Sequence, residues 1–214
     1  MANFTKKFGI KEVADVAFYN VETTNSEGKK VSTVTVDEST GAFTALAAPV
    51  LTFDSLKVST LEMTAEQAEA RGGKGNPPLI IWDHGREVNV TLEDALLSME
   101  TLEAMFGDAT TTDNVVTINA KKFPGVYTVI GQTYARDVDG VDHLFTFYIP
   151  RAKIQSENTI TMEAEGDPTV FNLSLRVLRG NTNGDMVKFI LQENAGTTTP
   201  DISFPEPAEE PEGD

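Results

Sequence analysis

Strict alternation of apolar and polar residues is the feature of this 214-residue sequence that most restricts its fold. Residues 171–177 place Phe, Leu, Leu and Val on one side and Asn, Ser and Arg on the other, and residues 160–165 show the same period of two. That period is typical of a β-strand with one buried face. The turn-forming residues 165–168 lie between the two runs, which together predict a hairpin.

Most of the remaining chain also predicts strands. Apolar or β-branched runs occupy residues 13–21, 31–36, 51–63, 126–134, 144–149 and 186–192. Residues 137–140, with the sequence DVDG, predict a tight turn between two of these strands. Because strands and helices do not alternate regularly, a parallel α/β sheet is disfavoured. We expect a mainly β protein, an antiparallel β-sandwich or barrel.

One flanking helix is predicted at residues 92–106. Thr91 is a candidate N-cap with Asp94 three positions later, and Gly107 is a candidate left-handed C-cap. The apolar residues at steps of four and three form one helical face: Leu92, Leu96, Met99, Leu102 and Phe106. The shorter segment 64–71 is also compatible with a helix.

Composition excludes several classes of protein. The 17 basic and 33 acidic residues give a net charge of −16, which disfavours broad binding to nucleic acids or anionic membranes. The absence of cysteine excludes disulfides, thiolate zinc sites and cysteine nucleophiles. No run approaches the roughly 20 apolar residues of a spanning helix. We therefore expect a soluble protein made in the cytoplasm.

The domain organisation follows from the C-terminal composition. Residues 195–214 contain six acids, no base and four prolines, so they offer little apolar surface to bury. We interpret them as a flexible, acidic, Pro-rich tail. Of the sixteen net negative charges, ten therefore remain on residues 1–194, which we interpret as one β-rich domain.

No catalytic or cofactor motif emerges, so the sequence predicts neither an enzyme nor a bound metal or cofactor. His84 and His143 lack partners at metal-ligand spacing, and a place in a loop or at a strand end is the favoured interpretation. Asp137, Asp139 and Asp142 weakly suggest calcium, but a tight hairpin explains them equally well. The glycine-rich run GGKGN precedes a strand rather than a helix, which disfavours a nucleotide site.

Two groups of segments resemble the tail tube (major tail) proteins of tailed bacteriophages. The first, within residues 50–107, comprises the strand at 56–63, the run TAEQAEARGGKGN, the run PLIIWD, the run EVNV and the predicted helix. The second, within residues 125–192, contains TITMEAEGDP and FNLSL, which are similar to the C-terminal hairpin of those proteins.

The resemblance implies a structural role in the virion. Such subunits form hexameric rings whose inner sheets join into a continuous barrel, and the rings stack into a tube that carries DNA. It implies assembly in the host cytoplasm, with copies of itself and other tail proteins (sheath, terminator or baseplate) as partners. DNA would pass through the lumen without specific binding, because carboxylates near the wall repel phosphate.

Two sets of residues are candidates for this role. The lumen candidates are the polar residues of the predicted hairpin, although their face could equally lie outside or pack on another subunit: Thr161, Glu163, Glu165, Asn172 and Ser174. The candidates for a loop that contacts a neighbouring subunit include two bases and three glycines, with a plain flexible loop as the alternative: Arg71, Gly72, Gly73, Lys74, Gly75 and Asn76.

Other functions stay open at this point. The same β-rich, acidic sequence without a catalytic motif would also suit a different virion component, such as a capsid-decoration or tail terminator protein. A carbohydrate- or ligand-binding β-sandwich would need exposed aromatic residues in a groove, and Trp82 is the single tryptophan.

Overall fold

The computed structural model describes residues 7–25, 27–37, 41–107, 115–155, 171–180, 184–192 and 200–207. These residues contain thirteen β-strands and one α-helix, α1, at Met99–Phe106. In chain order the strands are β1 Phe8–Ile10, β2 Asp15–Asn20, β3 Glu22–Thr24, β4 Lys30–Ser32, β5 Val34–Val36, β6 Phe43–Ala45, β7 Leu51–Phe53, β8 Leu56–Arg71, β9 Pro78–Asp94, β10 Val126–Asp137, β11 Asp142–Ile154, β12 Phe171–Val177 and β13 Lys188–Gln192. The predicted class, mainly β with antiparallel pairing and a single helix, is confirmed.

Nine of the strands form one antiparallel sheet. Seven follow the order β7-β2-β10-β11-β12-β9-β8, while β1 pairs with β10 and β13 pairs with β11. The remaining strands form two small hairpins, β3–β4 and β5–β6. Strand β8 therefore lies at one edge of the main sheet.

Each of the central strands, β10 and β11, pairs with two different strands along one of its edges. One edge of β10 pairs with β2 at residues 127–132 and with β1 at residues 135–137. One edge of β11 pairs with β13 at residues 144–148 and with β12 at residues 152–154. The sheet thus divides at both strands, which lets it curve around a core.

Apolar clusters pack on both faces of β2 and β10. The larger cluster includes Phe18, Val129 and Ile149, and α1 closes it with Ala104 and Met105. The smaller one is made by alternate residues of the same strands together with the β5–β6 hairpin: Ala17, Tyr19, Val34, Ala45 and Ile130. Because both faces are covered, four consecutive residues of β2 are buried.

The predicted helix begins seven residues too early. Strand β9 continues to Asp94, and α1 begins after Ser98, whose hydroxyl accepts a hydrogen bond from the Thr101 N–H at 3.1 Å. The predicted C-cap Gly107 does adopt the left-handed conformation, with φ of 68°. Leu92 fits both a helical face and the alternation of β9, and the buried alternation prevails because it pairs with β12.

The second possible helix, at residues 64–71, was wrong, because this segment is the outer half of β8. The predicted 160–177 hairpin is described only in its second strand, β12, whose edges pair with β9 and β11. Its first strand, at 160–165, lies outside the described residues.

Part of the predicted tail packs on the sheet. Phe204 contacts the smaller apolar cluster, and the Tyr19 hydroxyl donates a hydrogen bond to the Pro205 carbonyl oxygen at 2.9 Å. Burial raises the pKa of this tyrosine. Residues 203–205 thus differ from a flexible tail, and the rest of that prediction falls largely outside the described ranges.

Candidate assembly site

The β8–β9 hairpin is the longest element, with strands of 16 and 17 residues. Its base, residues 56–63 and 88–94, belongs to the sheet, because β9 pairs there with β12. Beyond the base, residues 64–87 form an arm in which β8 and β9 pair only with each other among the described residues. At about 3.3 Å per residue, the arm extends roughly 25 Å beyond the sheet.

A β-bulge separates the arm from the base. Thr64 is opposite Glu87, whereas Glu66 is opposite His84, so β9 has one extra residue at this point. Gly85 lies in the bulge with φ of 60°, a left-handed conformation that side chains other than glycine resist. Bulges with a left-handed glycine bend a strand and increase its twist. We therefore expect Gly85 to influence the direction in which the arm leaves the sheet.

One face of the arm is apolar. Ala68 is opposite Trp82 and Ala70 is opposite Ile80, and directly opposed residues of an antiparallel pair share a face. The side chains of Ile80 and Trp82 remain 60% and 50% exposed. We call these four residues the apolar arm face.

The opposite face of the arm is mostly polar. Gln67 donates a hydrogen bond to Asp83 across the strands at 3.0 Å, and the Arg71 guanidinium donates one to Glu69 at 2.6 Å. Ile81, opposite Glu69, is the one large apolar residue that the register assigns to this face between residues 80 and 83. The two faces of the arm thus differ in chemistry.

The side of β8 that carries the apolar residues is different in the base and in the arm. In the base, Leu61 faces the core opposite buried Val90, while Glu62 points outward opposite Asn89. Continuing the period of two along β8 assigns Ala68 and Ala70 to the same side as Glu62. The apolar arm face therefore lies on the side that is polar in the base, where the chain's own core cannot cover it.

An outward polar face extends over the base of the hairpin, the adjoining residue Glu87 of the arm, β12 and the end of β11. Asn172 is opposite Glu93 and Ser174 is opposite Thr91, and both pairs point away from the core. We call this surface the polar sheet face, and its members are Thr60, Glu62, Glu87, Asn89, Thr91, Glu93, Lys153, Asn172, Ser174 and Arg176. These ten residues include three glutamates and two cationic side chains, so their net charge is −1.

The structure locates two of the predicted lumen residues on this polar sheet face. Asn172 is exposed and Ser174 is half-buried. Thr161, Glu163 and Glu165 lie outside the described residues. Sequence reasoning missed the contribution of β8 and β9, including Glu87 of β9, which accepts a hydrogen bond from Arg176 of β12. The alternation of residues 88–94 is the available signal, but the helix predicted at residues 92–106 overlaps its end.

The predicted interface loop, from Arg71 to Asn76, lies at the tip of the arm. Gly73, Gly75 and Asn76 have positive φ, and the Asn76 N–H donates to the Gly73 carbonyl oxygen at 3.1 Å. Gly72 is bonded through its N–H to Pro77. Arg71 is already engaged by Glu69, so a neighbour's carboxylate would compete with this pair. Lys74 is exposed, and its contact with a neighbour stays a prediction.

Strand edges at the hairpin are open. In the described ranges, no strand pairs with the outer edge of β8, and beyond Asn89 no strand pairs with the edge of β9 that faces away from β8. An exposed edge presents unpaired N–H and C=O groups that can pair with another chain. The open edge and the apolar arm face together form the candidate assembly site.

The acidic turn at residues 137–142 is held by its own hydrogen bonds. The Asp137 carboxylate accepts from the N–H groups of Asp139 and Val141, each at 2.9 Å. Arg136 donates two hydrogen bonds to Asp142, at 2.7 and 2.9 Å, and holds the pKa of that carboxyl well below its usual range. The turn geometry accounts for these carboxylates without a metal ion.

The histidines occupy strand positions. His143 approaches buried Asp137, with 3.3 Å between Nε2 and Oδ2, and His84 is 3.2 Å from Glu66 on the arm. Over the residues that the structure describes, no group of three His, Asp or Glu side chains could hold a metal ion. Over the same residues, no helix is long and apolar enough to cross a membrane.

Comparison with known families gives one match. The model of the YomU/Tube protein family matches residues 44–114 and 100–189, which include the hairpin, α1 and strands β10–β12. No curated protein matches the chain.

Proposed function

Because the chain belongs to the YomU/Tube protein family, we propose that it is a structural, non-enzymatic subunit of a bacteriophage tail tube. Copies of the chain assemble into rings, and the rings stack into a conduit through which DNA leaves the virion. The observation that carries this proposal is the β8–β9 hairpin, with its open edge and an apolar face that the subunit does not cover. Both features favour association with another chain, because an open strand edge and an exposed apolar patch are liabilities in an isolated monomer.

Assembly through this hairpin has a clear physical basis. A neighbour's strand that pairs with the outer edge of β8 satisfies its free backbone groups and extends the sheet from one subunit to the next. Burying Ile80 and Trp82 adds a hydrophobic contribution of about 1.5–3 kcal/mol for each large side chain. Repeating the same contact around an axis closes a ring, for which the resemblance implies hexameric symmetry.

The polar sheet face is the proposed lumen wall. It contains Asn172 and Ser174, and its mixed charges offer DNA no cluster of cations to which phosphates would adhere. Thr161, Glu163 and Glu165 keep their proposed place in the lumen, where the two glutamates would add negative charge. Phosphate is then repelled within a Debye length of about 8 Å at physiological salt.

The remaining partners follow from this assignment. The chain binds copies of itself and contacts other tail proteins, such as a sheath, terminator or baseplate protein, at the ends or outside of the tube. It assembles in the host cytoplasm and resides in the virion tail. DNA passes through the lumen without specific binding.

Negative-stain electron microscopy of the purified full chain tests the proposal. Stacked rings with a central hole are the expected result. Single rings that never stack would favour a terminator protein, and monomers at all concentrations, especially ones that bind a glycan, would contradict a tube.

The lumen assignment needs a separate experiment. Tubes of the Glu62→Lys, Glu93→Lys double variant should retain added linear DNA at low salt, whereas wild-type tubes should release it. The control is Glu100→Lys, at an exposed position of α1 outside the polar sheet face. If the double variant and the control retain equal amounts of DNA in co-sedimentation, the polar sheet face does not line the lumen.

A further inference from the structure

A groove of about 580 Å³ opens beside the base of β8. Its volume is within the ~300–1,000 Å³ typical of ligand pockets. The walls come mainly from β8, from the end of β1 and the segment between β1 and β2, and from β11 and β13, with one residue each from β9 and β10. The apolar lining residues that matter here are Ile10, Val58, Leu61, Phe145, Phe147 and Phe189.

Several of these apolar groups are accessible at the surface. Phe189 is 52% exposed and stacks on Phe145 with 5.9 Å between ring centroids, and Val58 is 42% exposed. Three charged residues also line the groove: Lys11 and Glu12, which pair with each other at 3.4 Å, and Lys57, which has no ion-pair partner in the described part of the chain. The groove thus combines apolar side chains with a net positive charge of one.

We propose that this groove receives the apolar arm face of a second copy of the chain. This inference rests on the proposed function and names the surface that the arm contacts. The arm matches the groove in chemistry, because Ile80 and Trp82 supply apolar side chains and Glu66, on the same arm face, supplies a carboxylate toward Lys57.

The arm cannot occupy the groove of its own subunit. Leu61 lines the groove, and Ala68, opposite Trp82, is seven residues farther along the same extended strand. At about 3.3 Å per residue these positions are roughly 23 Å apart. The contact must therefore join two copies. Repeated head to tail, a contact between two different surfaces of one chain builds rings or filaments.

Cysteine cross-linking tests the contact directly, because the native chain has no cysteine. The full-length double variants Val58→Cys, Ile80→Cys and Val58→Cys, Trp82→Cys should each offer one groove cysteine and one arm cysteine. After assembly and mild oxidation, at least one should give a ladder of linked multimers on a non-reducing gel. A disulfide requires Cα atoms within about 7 Å, so the ladder reports direct contact.

Matched variants define the controls. Each single-cysteine variant should give no ladder, and neither should Val138→Cys combined with Ile80→Cys, because Val138 is exposed at the β10–β11 turn outside the groove. Tubes that form without a ladder from either groove–arm pair would overturn the inference and leave the proposed function intact. Wild-type chains that never assemble would instead contradict the proposed function.

The fluorescence of Trp82 gives a second measurement, because it is the chain's single tryptophan. Its emission should shift to shorter wavelength when wild-type subunits assemble. The Phe189→Glu variant should raise the concentration needed for that shift by about tenfold or more, since burial of a large apolar group is lost. An unchanged concentration dependence would overturn the inference even if the cysteine variants fail to assemble.

Discussion

The base and the arm of the β8–β9 hairpin share two strands and one hydrogen-bonded ladder, yet different contacts stabilise them. In the base, Val88, Val90 and Leu92 are at most 1% exposed against β12 and the core. In the arm, residues 78–87 are all exposed. An isolated two-stranded hairpin is marginally stable in water. The base is therefore stabilised within the subunit, whereas the arm is the part that, in our proposal, a neighbour completes.

The largest expected difference concerns the stability of the monomer. Leu92→Ala should lower the free energy of unfolding by about 2–5 kcal/mol, because it leaves a cavity in the core. Ile80→Ala on the arm should change it by less than about 0.5 kcal/mol, because the side chain is exposed in the monomer.

Chemical denaturation of both variants at a concentration below assembly measures this difference. Equal losses of stability would show that the arm is packed within the subunit. That result would remove the distinction between base and arm.

The second prediction compares the two faces of the arm. Ile80→Glu should raise the concentration needed for assembly by about 10- to 100-fold, since burying such a side chain contributes about 1.5–3 kcal/mol. Ile81→Glu makes the same chemical change on the polar face and should have a smaller effect. Sedimentation of assembled material against protein concentration measures both.

The order of the two effects is the critical result. A larger loss with Ile81→Glu would place the neighbour on the polar arm face and contradict the assigned contact. Unfolding curves of the two variants should coincide, which excludes a folding defect as the cause.

The strands that pack on the subunit's own core could be predicted from the sequence. The alternation in residues 171–177 predicted β12 and its buried face, and the runs at 126–134 and 144–149 predicted the cores of β10 and β11. The predictions for these segments are confirmed because at least one face of each packs on the subunit's own core. Local pattern and tertiary environment then agree.

The arm and the helix boundary were not predictable in the same way. Residues 64–71, TAEQAEAR, have high helix propensity, and only pairing with the far strand of the hairpin makes them extended. Leu92 satisfied both periodicities, and pairing with Leu173 of β12 decided between them. The groove joins residues from six strands (β1, β8, β9, β10, β11 and β13) and from the β1–β2 connection, so no local window could have shown it.

The third prediction tests whether the bulge sets the direction of the arm. Gly85→Ala should lower stability by about 1–2 kcal/mol, the cost of a left-handed conformation at a non-glycine residue, and it should weaken assembly further by turning the arm. Gly9→Ala in β1 is the matched control, because a Cβ there meets nothing within 4 Å. Thermal unfolding and sedimentation together measure the two effects. Assembly that weakens no more than stability would show that the bulge does not direct the arm.

The smallest expected effect compares charge pairs in the body and on the arm. Hydrogen bonds from Arg136 lower the pKa of Asp142 in the folded protein, so the ionised carboxylate stabilises the fold. This contribution is fully present above the unfolded pKa of about 3.9 and is lost as the pH falls through the lower folded value. Asp142→Asn should therefore lower the melting temperature at pH 7, and the difference from wild type should shrink below about pH 4.

Glu66→Gln, which removes the exposed pair with His84, should leave the melting temperature unchanged at both pH values, because exposed pairs contribute little. If Glu66→Gln instead lowered the melting temperature at pH 7 as Asp142→Asn does, the charges of the arm would stabilise the isolated subunit. The arm would then not depend on a neighbour for its stability.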